Sequence, residues 1–230
     1  MEKKECNWND RSEVLGEIQN TKGVCVTSKG ENVPVEEEIV VEHFMNLFVN
    51  ERLVAKLVCT PSDLRYLVLG RLYTEGLLKR MDDIESLYIC EHGYTAKIYM
   101  KTEPKWQTQM APDPTCCTGN RMFWGSSEEE DWKPVPKVTV NPNEVFLLAE
   151  EFANGSRLHG KTKGTHSCYL GVKGSCLYVS EDLGRHNAMD KCIGYMLENG
   201  ISPGECMLFT TGRVPTDMVK KAVAKNKGMW

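Results

Sequence analysis

The first half of the chain carries apolar residues in short, alternating runs of the kind that predict β-strands. From Ile39 to Cys59, two such runs stand on either side of Asn50-Glu51-Arg52, and this arrangement predicts a β-hairpin. Residues 83–101 return to the same strand-like character. We therefore expect residues 21–101 to form a β-rich N-terminal domain with one buried helix. Residues 1–20 are polar, and we expect them to be a loosely ordered N-terminus.

The helix of this domain is predicted directly after the hairpin. Thr60 can cap it, and Pro61 suits the first helical position because that position needs no backbone donor. The residues from Leu64 to Tyr73 are apolar on almost every side, which predicts a helix that is covered by other elements. Gly76 follows as a residue that can end it.

The composition changes sharply at residues 102–137. This stretch is rich in proline, contains the acidic run Glu128-Glu-Glu-Asp131, and holds the vicinal pair Cys116-Cys117. Proline and concentrated charge oppose regular structure, so the stretch is predicted to be a long loop or an inter-domain linker. Long loops in compact proteins are often functional.

The remaining residues, 138–230, alternate between helical and strand-like patterns. A helix is predicted from Asn141-Pro142-Asn143 to about Asn154, and strands over 167–172 and 176–180. A second helix ends near Gly200, Cys206–Thr210 reads as a buried strand, and Thr216 can cap a last helix. This order predicts an α/β domain, in which adjacent strand ends form a ligand crevice.

Composition narrows the class of protein. The hydrophobic share of 41% and the charged share of 26% are those of a soluble globular chain. A net charge of −4 does not support general nucleic-acid binding. No apolar stretch is long enough to cross a membrane, so we expect no membrane association and a cytoplasmic location.

Ten cysteines are scattered along the chain without any Cys-x-x-Cys, so the spacing of a four-ligand zinc site is absent and no bound metal is expected. Cys116 and Cys117 are the candidate nucleophiles, because a thiolate in a long polar loop has access and reach. Adjacent Cα atoms lie about 3.8 Å apart, which is too close for an unstrained disulfide. The alternative is two incidental thiols in a loop.

The stretch Tyr178–Cys192 is the strongest candidate for a binding site. A strand is predicted to pass through a polar turn into a helix, which places backbone N–H groups and the positive end of the helix dipole at one spot. Asp182, Arg185, His186 and Asn187 lie in this turn; Arg185 suits a phosphate or carboxylate, and Asp182 can orient His186. A capped helix start with a solvated arginine and a hydrogen-bonded histidine explains the same residues.

Two shorter segments add to this candidate site. A second loop between a strand and a helix is predicted at Thr210-Thr211-Gly212-Arg213. It contains an arginine, and its glycine allows backbone conformations that other residues avoid. His166 enters a strand within Gly164-Thr-His-Ser-Cys168 and can steady an anion or tune a thiol. A satisfied core histidine is the competing interpretation of His166. From the residues themselves we infer only a pocket that binds an anion.

Four stretches resemble the formate dehydrogenase accessory proteins of FdhD type, in the same order and over roughly residues 35–225. They are the segment Glu181-Asp-Leu-Gly-Arg-His-Asn-Ala-Met-Asp-Lys191, the segment Cys59–Leu78, Gly164–Cys168 and Thr210–Arg213. The resemblance implies a second domain similar to the cytidine deaminase fold, and a homodimer.

The resemblance also implies a function. Members of this family are sulfur carriers that take persulfide sulfur from a cysteine desulfurase and pass it to a formate dehydrogenase. The recipient is the molybdenum or tungsten bis(molybdopterin guanine dinucleotide) cofactor, so a guanine nucleotide such as GDP is an expected ligand of His166, Asp182, Arg185, His186, Asn187, Gly212 and Arg213. The family's carrier cysteine is usually the first of a Cys-x-x-Cys pair. That position matches Cys116, Gly119 replaces the second cysteine, and Cys117 is a possible substitute.

Two other functions compete with the sulfur carrier. An assembly chaperone that binds cofactor or apo-enzyme without moving sulfur is favoured by the missing second cysteine. It is also favoured by the absence, after Trp230, of the Gly- and Arg-containing segment with which the family helps to hold the pterin. A zinc deaminase is opposed by the residues, since no His-x-Glu with a later Pro-Cys-x-x-Cys is present.

Overall fold

The computed structural model describes residues 7–10, 15–108, 120–126 and 139–223, and Cys116 and Cys117 lie outside the described residues. The strands are β1 (Asn7–Asp10), β2 (Ile18–Val26), β3 (Asn32–Val40), β4 (His43–Val49), β5 (Arg52–Cys59), β6 (Ile84–Ile89), β7 (Thr95–Met100), β8 (Trp106–Thr108), β9 (Arg121–Met122), β10 (Trp124–Ser126), β11 (His166–Val172), β12 (Ser175–Asp182) and β13 (Cys206–Thr210). The helices are α1 (Leu64–Thr74), α2 (Pro142–Ala153), α3 (Arg157–Thr162), α4 (Arg185–Glu198) and α5 (Thr216–Ala222). The mixed α/β class predicted from the sequence is confirmed.

The first half is built on a six-stranded mixed sheet in the order β1-β6-β7-β4-β5-β9. The predicted hairpin is confirmed as β4 and β5, and its turn residues Asn50 and Glu51 both have positive φ, as a tight hairpin turn requires. Helix α1 packs its apolar residues onto this sheet, and the core that they share contains Leu47, Leu57, Leu64, Leu67, Leu72, Leu87 and Ile98. Burying each such side chain contributes about 1.5–3 kcal/mol.

Helix α1 is buried and is followed by Gly76 with positive φ, as predicted, but it starts later than predicted. Its N-cap is Asp63, which has a left-handed backbone with φ 51°. Thr60 is therefore not the cap. Its side-chain oxygen accepts a hydrogen bond from the backbone N–H of Leu183 at 3.1 Å, so a partner far away in the chain overrides the local capping preference.

Two segments that were expected to lack regular structure contain strands. In the N-terminal 20 residues, β1 pairs in parallel with β6, and β2 begins at Ile18 and forms a long antiparallel hairpin with β3. Within residues 102–137, β8 pairs with β10 and β9 extends the large sheet beside β5. Part of the proline-rich stretch is therefore hydrogen-bonded to the large sheet of the first half.

The second half contains a three-stranded antiparallel sheet in the order β12-β11-β13. Helix α4 covers one face with Ala188, Cys192 and Met196, and α2 covers the other with Leu148. The loops after β12 and β13, which carry Arg185 and Arg213, were expected to line a crevice between adjacent strand ends, but these two strands are not neighbours in the sheet. Strands β12 and β13 both flank β11, so their ends meet at the start of β11 and not side by side. Thr216 is the first residue of α5 and not its cap.

The two halves meet where α1 crosses α4. A Cβ atom added at Gly70 would lie 1.8 Å from the Asp190 carbonyl oxygen, and one at Gly194 would lie 2.0 Å from the Tyr66 carbonyl oxygen. Both positions therefore require glycine, because the two helix backbones touch. This contact places α4 between the two sheets.

Among the helices that the structure describes, none combines the length and the apolar character needed to cross a lipid bilayer.

Candidate functional site

The candidate site begins at the turn between β12 and α4. Gly184 is the N-cap of α4, and its backbone N–H donates to Oδ1 of Asp182 at 2.9 Å. Arg185 and His186 form the first turn of the helix, and both are buried, at 5% and 2% exposure. A 14-residue helix thus points its positive end at this turn, which favours a bound anion.

Asp182 joins the two halves of the chain. It is fully buried, and its Oδ2 accepts a hydrogen bond from the backbone N–H of Thr60 at 3.0 Å. Its Oδ1 also accepts from the side chain of Asn187 at 2.8 Å. The expected role of Asp182 in orienting His186 is wrong, since the carboxylate is committed to Thr60, Gly184, Asn187 and Lys191.

Lys191 completes this buried network, and sequence reasoning missed it. Its Nζ lies 2.8 Å from Oδ2 of Asp182 and donates to the carbonyl oxygens of Glu181 at 3.1 Å and Thr60 at 3.3 Å. Burial disfavours the charged form, but the Asp182 carboxylate outweighs burial and raises the pKa of Lys191. The spacing of four residues from Asn187 was the available signal, because it places both side chains on one helix face.

Asn187 connects the buried network to Asn120, which lies just after the vicinal cysteines in the chain. Its Nδ2 donates to the carbonyl oxygen of Val58 at 2.8 Å, and its Oδ1 accepts a hydrogen bond from Nδ2 of Asn120 at 2.9 Å. Asn120 is 1% exposed and follows Cys117 by three positions. The helix that bears the candidate site therefore contacts the chain just after the vicinal cysteines.

His186 points to α5 and not to Asp182. Its Nε2 lies 3.0 Å from Oδ2 of Asp217, while Nδ1 is buried and makes no hydrogen bond to any described residue. One helical turn further along, Lys221 of α5 donates to Asp190 of α4 at 2.9 Å. A His186–Asp217 hydrogen bond and a Lys221–Asp190 ion pair thus hold α5 on α4.

The accessible part of the site lies at the start of β11. His166 is half-buried, and its Nδ1 lies 3.5 Å from Oγ1 of Thr211. Partial burial, followed by the nearby Arg185 guanidinium and the His159 ring, lowers the pKa of His166. His166 is therefore neutral near pH 7 and can accept a proton. Sequence reasoning missed His159, whose Nδ1 donates to the carbonyl oxygen of Thr165 at 2.7 Å.

The second loop packs against the first, as its sequence suggested. A Cβ atom added at Gly212 would lie 2.8 Å from both Cβ and Cδ of Arg185, so glycine is required for the loop to approach α4. The structure therefore brings together His166, Arg185, His186 and Gly212 around one strand end, and places Asp182 and Asn187 in the buried network behind them. Exposed Arg213 follows Gly212 in the chain.

The described cysteines differ sharply in their accessibility. Cys59, Cys168, Cys192 and Cys206 are buried, and Cys25 is exposed. Burial raises the pKa of Cys206 to about 12 and raises that of Cys59 as well. A hydrogen bond with Cys192, together with burial, raises the pKa of Cys168. These buried thiols are poor nucleophiles, because the thiolate is the reactive form.

No group of three or more His, Cys, Asp or Glu side chains within the described ranges is arranged to hold a metal ion. His159, His166 and His186 approach one another without forming such a group. The described site contains hydrogen-bond donors, the half-buried His166, the buried Arg185 and the N-terminus of α4.

Comparison with known proteins gives consistent results. The model of the FdhD/NarQ family matches residues 40–229. A sulfur carrier protein FdhD of Shouchella clausii is 29% identical over 215 residues, which are 90% of this chain and 80% of the relative. The Bacillus subtilis protein of the same name is 28% identical and is covered over 76% of its length. A crystal structure described as a formate dehydrogenase accessory protein of Desulfotalea psychrophila superposes with a TM-score of 0.71 at 22% identity, covering 93% of this chain and 81% of that one.

Proposed function

Because the chain belongs to the FdhD/NarQ family, we propose that it is a sulfur carrier that serves a formate dehydrogenase. The observation that carries the proposal is the contact between Asn187, in the first turn of α4, and Asn120, which follows the vicinal cysteines in the chain. This contact ties the residue three positions after Cys117 to the helix whose N-terminus we propose as the anion-binding site. The relatives from Shouchella clausii and Bacillus subtilis, both named as sulfur carrier proteins, support the same class of function.

The first step is transfer of a sulfane sulfur atom. The Cys116 thiolate attacks the outer sulfur of a persulfide on a cysteine desulfurase, the sulfur–sulfur bond of the donor breaks, and the donor cysteine leaves as a thiolate. A persulfide then forms on this chain without net oxidation or reduction. Cys117 is the alternative acceptor. The buried thiols of Cys59, Cys168 and Cys206 are unsuited to this step because their pKa values are raised.

The second step delivers the sulfur to the bis(molybdopterin guanine dinucleotide) cofactor, which is the substrate of this protein. Phosphates of the guanine nucleotide arm bind at the α4 N-terminus with Arg185 and Arg213. His166, with its lowered pKa, accepts a proton from the persulfide. A thiol reductant, which is oxidised to its disulfide, supplies the two electrons that break the sulfur–sulfur bond of the persulfide, and the carrier cysteine leaves as a thiolate. The outer sulfur, now at the oxidation level of sulfide, becomes the sulfido ligand in exchange for a ligand that the cofactor releases.

Persulfide mass spectrometry tests the proposal directly. The protein is incubated with a cysteine desulfurase and cysteine, and the peptide with Cys116 and Cys117 is expected to gain about 32 Da, one sulfur atom. Single Cys116→Ser and Cys117→Ser variants assign the carrier. A Cys25→Ser variant is the matched control, since Cys25 is an exposed thiol in β2 and its loss should leave the gain unchanged. A gain found only on other cysteines contradicts the proposal.

An assembly chaperone is the second candidate, because Gly119 stands where the family has its second cysteine. In this function the site binds the cofactor and presents it to apo-formate dehydrogenase without moving sulfur. A Cys116→Ala, Cys117→Ala double variant separates the two functions: the sulfur carrier predicts inactive formate dehydrogenase, whereas the chaperone predicts normal maturation. Homodimer formation, a cytoplasmic location and the similarity of the second half to cytidine deaminases stay predictions.

A further inference from the structure

We propose that the β2–β3 hairpin with its flanking residues, 17–42, is a docking arm for a basic protein surface, that of the formate dehydrogenase apo-enzyme. The inference rests on the proposed function and adds to it the surface that one partner binds. Its evidence comes from the exposure, the charge and the position of this arm.

The docking arm leaves most of its apolar side chains in solvent. Val24 and Val26 are 62% and 67% exposed on one face of the hairpin, and Val33 and Ile39 are exposed on the other. No residue of β2 or β3 belongs to a hydrophobic core that the described residues form. A two-stranded hairpin is only marginally stable by itself in water, so covering these side chains with another protein would stabilise the arm.

The docking arm also carries the net charge of the protein. It contains six glutamates and two lysines, a net charge of −4, which equals the net charge of the entire chain. Glu36 and Glu37 are exposed on opposite faces of β3, and neither forms an ion pair with a described residue. Such a surface repels a second copy of itself and an anionic lipid surface, and it attracts a surface rich in lysine and arginine.

The base of the docking arm lies beside the candidate site. Val40 packs against Gly164, since a Cβ atom added at Gly164 would lie 2.8 Å from Cγ1 of Val40. Gly164 precedes His166 by two positions in the chain. On the same side, Arg157 of α3 forms an ion pair with Glu17. A protein that binds the arm is therefore held next to the strand end where His166 lies.

Charge complementarity indicates which partner fits the docking arm. The bis(molybdopterin guanine dinucleotide) cofactor carries phosphates, and an enzyme that holds it must supply lysine or arginine side chains to bind them. In the apo-enzyme these cations lack the phosphates. The acidic arm can therefore bind the basic entrance of the empty cofactor site, close to the place from which we propose that the cofactor is delivered.

Binding of purified cofactor-free formate dehydrogenase to the full-length protein tests the docking arm. Glu36→Gln/Glu37→Gln is expected to slow association and to weaken binding about fivefold at low ionic strength, with a smaller effect in high salt. Glu150→Gln/Glu151→Gln is the matched control, because it removes the same charge from two adjacent exposed glutamates of α2 and should leave the affinity unchanged. Equal affinities of both variants and the parent, or no binding by the parent, overturn the proposal.

A second variant tests the apolar part of the docking arm. Val24→Thr/Val26→Thr keeps β-branched side chains in the strand and is expected to speed dissociation about tenfold, because two methyl groups no longer gain from burial. Leu177→Thr/Val179→Thr, at exposed positions of β12, is its control and should dissociate at the parent's rate. The unfolding midpoint should stay that of the parent in the arm variant, since the arm joins no core. Unchanged dissociation of the arm variant contradicts the proposal.

Other occupants of the docking arm give different results. A changed oligomeric state of either arm variant in sedimentation would assign the arm to a second copy of the chain. Loss of the persulfide gain with unchanged binding of formate dehydrogenase would assign it to the cysteine desulfurase. Both outcomes overturn the proposal. Absence of the persulfide gain in the parent protein would defeat the proposed function, whereas unchanged binding by the arm variants would defeat only the docking arm.

Discussion

At the scale of single residues, neither partner of the ion pair between Asp182 and Lys191 can be removed without cost, because both charges are fully buried and both are hydrogen-bonded. Lys191→Met is predicted to lower the free energy of unfolding by about 3–5 kcal/mol, since it leaves the Asp182 carboxylate buried without its counter-charge. Denaturant unfolding measures the loss. Lys29→Met, at an exposed turn between β2 and β3, is the control and should change stability by less than about 0.5 kcal/mol. Equal stability of the Lys191→Met protein and the parent contradicts the prediction.

The local roles of residues were only partly predictable. The glycine at position 212 and the arginine at position 185 were identified from the chemistry of their loops, and the structure places them in contact. The partners of Asp182 were not identified, because Thr60 lies in the other half of the chain. Hydrogen bonds across such sequence distances leave no periodic signal, so the buried network had to come from the structure.

At the scale of elements, the crossing of α1 and α4 depends on two glycines. Gly70→Ala is predicted to lower the free energy of unfolding by at least about 1–3 kcal/mol, which is typical of an overpacked core. The reason is that the new Cβ would lie 1.8 Å from the Asp190 carbonyl oxygen. Gly160→Ala in α3 is the matched control. Nothing lies within 4 Å of its added Cβ, so helix propensity should stabilise the protein by about 0.5–1 kcal/mol. Thermal unfolding of both variants checks the contrast, and equal shifts would refute it.

Elements with a strong hydrophobic pattern were predicted correctly, namely the β4–β5 hairpin, α1, α2 and the strands β11 and β12. The β2–β3 hairpin was missed because nearly all of its residues are exposed on both faces, so that no alternation arises. Helix α3 was missed because it is six residues long and contains Gly160. Its position depends on the Glu181 carboxylate, which accepts hydrogen bonds from the backbone N–H groups of Leu158 and His159.

At the scale of the whole molecule, the buried thiols predict loss of stability in alkaline solution. The folded-state pKa of Cys59 is raised above the unfolded value of about 8.5, so the unfolded chain releases this proton first. Stability is therefore complete below about pH 8.5 and falls above it by up to about 1.4 kcal/mol per pH unit for each such thiol. Urea unfolding between pH 8 and 10 in reductant should show a shallower decline for Cys59→Ala than for the parent. An unchanged slope for Cys59→Ala would contradict the prediction.

The fold class was predictable from the sequence, but the order of the strands in the sheets was not. Alternating helices and strands indicated an α/β protein, and the four motifs indicated the family. The order of strands in either sheet was not indicated, because it depends on which edges meet after collapse. The placement of β11 between β12 and β13, which brings His166 into the site, is therefore a finding of the structure.

The burial of the signature residues has a consequence for genetics. Asp182, Asn187 and Lys191 lie in the most recognisable stretch of the chain, yet their hydrogen bonds go to Thr60, Val58 and Asn120 in other parts of the protein. If the protein serves a formate dehydrogenase as proposed, a screen for strains that lack this enzyme activity would recover changes at these positions because the polypeptide is degraded. Changes at solvent-facing residues such as Arg213 would instead leave normal amounts of folded protein.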